Sequence, residues 1–107
     1  MQTNDRDFCP RCAIKHLGKA KILMDEARLG YPYHVWLALA NMSEAEDELL
    51  RWMPQMAIDI REHRVLVEKS LAAGCALHVP DFKSLMESVA EEAMLEELFV
   101  DSEDAKG

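Results

Sequence analysis

This chain of 107 residues contains no long apolar run and few β-branched residues. Without an apolar run of about 20 residues, no segment is predicted to cross a bilayer. The polar residues 1–8 lack the apolar stretch of a signal peptide, so we expect a cytoplasmic protein with no membrane partner. The sparse β-branched residues show no alternation with polar ones, which argues against a sheet.

Cysteines are few, and basic residues are outnumbered by acidic ones. Three cysteines are an odd number and too few for a disulfide scaffold, so metal binding or thiol chemistry is favoured over structural bridging. The 12 basic residues against 20 acidic ones give a net charge of −8, which argues against nonspecific binding to nucleic-acid phosphates. Residues 1–24 carry five bases and two acids, whereas residues 81–107 carry nine acids and two bases. This asymmetry predicts a homo-oligomer, or a protein partner, held by salt-sensitive contacts.

Helical periodicity is the feature that is present throughout. It predicts one all-α domain over residues 9–100, between a flexible lead-in at 1–8 and a disordered acidic tail at 101–107. We expect a small bundle of about four helices, with zinc as a candidate stabiliser of its N-terminus. The helices are predicted over 10–30, about 33–53, about 55–73 and from an N-cap at Asp81 onward.

The buried side of the second helix is predicted to include Trp36, Leu39, Ala40, Ser43, Leu50 and Met53. The acids Glu44, Glu46, Asp47 and Glu48 are expected on a solvated face.

One short stretch concentrates reactive side chains. Cys9 and Cys12 are separated by two residues, and His16 follows Cys12 by one helical turn, on the same helix face. This spacing predicts a structural zinc site formed by these three residues and one more ligand. If the helices run antiparallel, His63 is level with His16 whereas His34 lies a helix length away, so His63 is the predicted fourth ligand.

Two other interpretations of this stretch stay open. The helix dipole would stabilise a cysteine thiolate at a helix N-terminus, which favours redox chemistry. Alternatively, the three side chains are simply partly buried. A further metal group of His34, Cys75 and His78 at the opposite end of the bundle is a weaker hypothesis.

Two resemblances bear on the redox interpretation. The sequence Cys-Pro-Arg-Cys resembles the glutaredoxin motif, although the βαβ unit that carries that motif is not predicted here. The pattern Cys-x-x-Cys-x-x-x-His, formed by Cys9, Cys12 and His16, resembles that of the all-helical alkylhydroperoxidase D family. This resemblance implies that Cys12 would attack peroxide, that Cys9 would resolve the disulfide and that His16 would act in proton transfer.

A broader resemblance covers about the first half of the chain. The Cys-Pro-x-Cys-x-x-x-His stretch, Lys-His-Leu, Gly-Tyr-Pro-x-His and the Ala-Glu-Asp-Glu run together resemble small uncharacterised proteins carried by bacteria and their phages. This resemblance implies an accessory or assembly protein, located in the host cytoplasm or in the virion.

Aromatic and ionisable residues cluster near the predicted first turn, at Tyr31, Tyr33, His34 and Trp36. We expect Trp36 to anchor the core and the tyrosines to cover helix ends, with a ligand or partner patch as the alternative. The chain as a whole is interpreted as a zinc-stabilised interaction or assembly module rather than an enzyme. The alternative is a thiol-dependent peroxidase or disulfide reductase.

Overall fold

The computed structural model describes the backbone of residues 10–106 and the side chains of residues 10–94. Four α-helices and no strand occupy this part of the chain: α1 Pro10–Arg28, α2 His34–Leu50, α3 Pro54–Ala73 and α4 Phe82–Lys106. The predicted all-α bundle of about four helices is therefore confirmed. No helix in the described part is long and apolar enough to cross a membrane. The predicted lead-in lies outside the described residues, and α4 includes residues 101–106, for which a disordered tail was predicted.

Proline, glycine and aspartate set the helix boundaries. Pro54 occupies the first turn of α3, where its missing N–H breaks no helical hydrogen bond. Gly74 ends α3 in the left-handed conformation (φ 69°), which a residue with a Cβ adopts at a cost. Asp81 caps α4, because Ser84 donates its backbone N–H to Oδ1 (3.1 Å) and its hydroxyl to Oδ2 (2.8 Å). These two hydrogen bonds favour the carboxylate and lower the pKa of Asp81.

The helices pack in the order α4, α1, α2, α3. α1 packs against both α2 and α4, while α2 packs against both α1 and α3. Small side chains allow the central pair to approach closely, since Ala13, Ala20, Ala38 and Ala45 are fully buried. The largest fully buried side chains are Leu17, Met24, Met42, Leu49, Ile60, Val67 and Val89. One core therefore runs through the described bundle, and α3 lies at its edge.

The predicted inner face of α2 is partly wrong. Leu39 is buried as predicted, but Trp36 is 59% exposed, Leu50 is 49% exposed and Ala40 is exposed. The residues that α2 buries are Val35, Ala38, Leu39, Met42, Ala45, Glu46 and Leu49. Because α2 lies between two helices, it buries small and medium side chains that fit close helix contacts, and bulky Trp36 points outward. Trp36 therefore does not anchor the core.

The acidic cluster of α2 also differs from the prediction at one position. Glu46 is buried, with 7% of its side chain exposed, and it accepts hydrogen bonds from two arginines of α3. Arg64 donates from Nε to Oε2 and from Nη2 to Oε1 (3.3 Å), and Arg61 donates from Nε to Oε1 (3.3 Å). Arg64 also contacts Glu68 one turn along α3 (3.1 Å). The hydrogen bonds to Glu46 raise the pKa of Arg64, and the network joins α2 to α3.

Candidate functional site

We call Cys9, Cys12 and His16 the thiol motif, and Cys12 and His16 lie in the first two turns of α1. Cys12 is the third residue of the helix, is half-buried and is disulfide-bonded. The predicted site residue Cys9 lies outside the described residues. Cys75 is a free, exposed thiol in the connection between α3 and α4. In the disulfide form Cys12 has no thiolate for a metal, because zinc binds the deprotonated thiol.

The contacts of Asn41 favour one tautomer of His16. Its Nδ1 lies 2.9 Å from Oδ1 of Asn41, and Nδ2 of Asn41 donates to the backbone oxygen of Leu37 (3.0 Å). The bond to Leu37 fixes the orientation of the amide, so an acceptor oxygen faces His16 and Nδ1 carries the proton. Nε2 of neutral His16 therefore keeps its lone pair. Such a nitrogen can accept a proton or bind a metal.

The predicted zinc ligands are not brought together in the described part of the chain. There, no group of three His, Cys, Asp or Glu side chains has a geometry that could hold a metal ion. His16 contacts Asn41 of α2, whereas the Nδ1 atom of His63 lies 3.1 Å from Nε2 of His78. His63 therefore pairs with the connection that follows α3. Zinc at the thiol motif stays a prediction.

The contact between His63 and His78 is an in-plane hydrogen bond. The two rings are nearly parallel (10°), and their centroids lie 5.4 Å apart. The nitrogen–nitrogen distance is 3.1 Å. The centroids can be as far apart as they are only if the two rings lie end to end, with both nitrogens on the line between the centroids, rather than face to face. One ring donates and the other accepts, so the two lone pairs do not converge on a metal ion. Burial and the charge of His63 lower the pKa of His78.

The second predicted metal group, His34 with Cys75 and His78, is likewise not formed among the described residues. Nδ1 of His34 lies 2.7 Å from Oε1 of Glu26, and its ring stacks on Tyr31 at a centroid distance of 5.4 Å. These contacts tie the start of α2 to the last turns of α1. They also restrain the connection between the two helices.

Large apolar side chains are exposed around this connection. The exposed fractions are 60% for Tyr31, 81% for Tyr33 and 59% for Trp36. Two leucines that the sequence did not single out extend the surface, since Leu29 is 81% exposed and Leu37 is 52% exposed. We call these five residues the aromatic patch. Their closeness along the chain was visible in the sequence, but their exposure depended on which face of α2 is buried.

Comparison of the chain with protein-family models, with curated proteins and with solved structures finds no match. Two places in the structure bear on function, the aromatic patch and the thiol motif. The patch presents an exposed apolar surface, and in the thiol motif the disulfide-bonded Cys12 precedes His16 by one helical turn.

Proposed function

We propose that this chain is a small helical interaction module that binds a protein partner through the aromatic patch. The observation that carries the proposal is the exposure of Tyr31, Tyr33 and Trp36 around one helix connection. Tyrosine and tryptophan supply large contact areas with few rotatable bonds, and they are enriched where protein interfaces have their strongest contacts. Scattered exposed leucines are ordinary, whereas neighbouring exposed aromatics indicate a binding surface.

The patch is organised before binding, which favours affinity. His34 contacts Glu26 and the ring of Tyr31, and these contacts restrain the connection beneath the aromatics. Little conformational entropy is then lost when a partner covers it. Within the described residues no hydrogen bond uses the tyrosine hydroxyls, so a partner with an apolar surface and acceptor oxygens at its edge would fit. Self-association of the chain, through a surface other than the patch, is also proposed. An assembly role agrees with the resemblance to phage-borne proteins.

Replacing Trp36 with Ala tests the proposal. Affinity-tagged protein should retain a defined partner from its source cells, and Trp36→Ala should weaken that binding by roughly tenfold to a hundredfold, the loss typical of a strong interface residue. The readout is the dissociation constant of the purified pair. Leu50→Ala is the matched control, because Leu50 is also half-exposed on α2 but lies at its other end. Equal binding by both variants would contradict the proposal.

A thiol-disulfide oxidoreductase is the second candidate, favoured by the disulfide at Cys12 and by the contact of His16 with Asn41 through Nδ1, which makes Nε2 the acceptor nitrogen of the neutral ring. In the reduced protein, Nε2 would accept the Cys12 proton, and the thiolate would attack a substrate disulfide and release one substrate thiolate. The second thiolate of the motif would then attack the mixed disulfide, releasing the other substrate thiolate and restoring the intrachain disulfide. A thiol reductant would regenerate the dithiol. Cys12→Ser should abolish this one-for-one reduction of a model disulfide.

A further inference from the structure

α3 carries a second partly apolar face opposite the one it buries. Its buried residues are Ala57, Ile60 and Val67. Successive residues of a helix are rotated by about 100°, so a different set of residues lies on the opposite side. This outer face of α3 follows a four-then-three spacing and consists of Ile58, Glu62, Val65, Lys69 and Ala72, with Leu66 at its edge. Such spacing is typical of a helix that packs against another helix.

The outer face has no helix against it in the described part of the chain. α2 is the helix against which α3 packs. Ile58 is 40% exposed and Leu66 is 46% exposed, while Val65 is half-buried. Arg61, Glu62, Val65 and Leu66 line a shallow cleft on this side. The centre of the face is therefore apolar and accessible.

The charges on this face specify how a second helix would lie. Glu62 and Lys69 are exposed and separated by two helical turns, and neither takes part in an ion pair among the described residues. In a parallel pair of identical helices, each charge would face its own copy, which is repulsive. In an antiparallel pair with its two-fold axis between Val65 and Leu66, Glu62 lies opposite Lys69 of the second copy. The same contact then occurs twice.

We infer that two copies of this chain associate through the outer faces of their α3 helices, antiparallel, with Val65 and Leu66 at the centre and two Glu62–Lys69 ion pairs around them. The face from Ile58 to Ala72 is about 21 Å long, which suits a small interface of moderate affinity. This inference rests on the self-association proposed above and assigns it a surface. It does not involve the aromatic patch, so each copy would keep its patch free for another partner.

Charge reversal tests the surface. Sedimentation at micromolar concentration should show a dimer for the wild-type chain. In a dimer of Glu62→Lys chains, a lysine faces a lysine at both contacts, and in a dimer of Lys69→Glu chains a glutamate faces a glutamate. Each variant alone should therefore weaken the dimer by about tenfold or more. The control is Glu91→Lys, which makes the same charge change at an exposed position of α4 and should leave the dimer intact.

Mixing the two variants gives the decisive result. A Glu62→Lys chain and a Lys69→Glu chain are complementary at both contacts, so the mixture should form a heterodimer of wild-type affinity. A wild-type monomer would overturn both the self-association and its surface. A dimer that is unchanged by either reversal, or a mixture that stays monomeric, would overturn the surface alone. Circular dichroism of each variant confirms that it is folded before the result is read.

Discussion

Replacing Arg64 with Ala is expected to lower the free energy of unfolding by about 3 kcal/mol, because the substitution leaves the Glu46 carboxylate buried with only one weaker partner. Glu46 has 7% of its side chain exposed and accepts two hydrogen bonds from Arg64. A charge removed from water without a partner is strongly destabilising. Urea unfolding followed by circular dichroism measures the change.

Arg61→Ala is the matched control for this prediction. Arg61 also contacts Glu46, but 52% of its side chain is exposed, so its ion pair is screened by water. Its loss should cost less than about 1 kcal/mol. Equal effects of the two substitutions would contradict the assignment of Arg64 as the principal partner of the buried carboxylate.

Replacing Leu49 with Ala is expected to lower the free energy of unfolding by about 3 kcal/mol. Leu49 is fully buried between α2 and its neighbours, and truncation removes packed methyl groups and leaves a cavity. The neighbouring Leu50 is 49% exposed, so Leu50→Ala should cost less than about 1 kcal/mol. Thermal and urea unfolding measure the free energy of unfolding of the two variants, which differ only in which of two adjacent leucines is truncated. A larger effect at Leu50 would contradict the orientation of α2.

The helices and most of the α1 stripe could be predicted because they follow from local signals. Ala13, Leu17, Ala20 and Met24 repeat at helical spacing, and all four are buried. Pro54, Gly74 and Asp81 mark boundaries through their own backbone preferences or hydrogen bonds. Such signals act within a few residues, so one sequence contains them in full.

The orientation of α2 could not be predicted in the same way. Its sequence offers apolar residues on several sides, and the face that is buried depends on the two helices that flank it. With Trp36 as a core anchor, the predicted buried face of α2 does not include Ala38, Met42 and Ala45. The prediction that Glu46 faces solvent is wrong for a related reason. Its arginine partners lie 15 and 18 residues away, on α3.

The candidate sites depended still more on tertiary structure. Antiparallel helices would place His63 at the same height along the bundle as His16, but His63 instead contacts His78 in the connection that follows α3. The Asn41 amide that fixes the His16 tautomer gave no signal in the sequence. The aromatic patch was visible as a cluster of residue types, and its exposure followed only from the structure.

The most direct test of the proposed function compares two single substitutions in one binding experiment. Calorimetry with the purified partner should give an affinity for Trp36→Ala at least about tenfold weaker than wild type, since Trp36 lies in the aromatic patch. Cys12→Ser should bind with unchanged affinity, because the thiol motif lies at the other end of α1. Loss of binding by Cys12→Ser together with wild-type binding by Trp36→Ala would contradict the account and assign the function to the thiol motif.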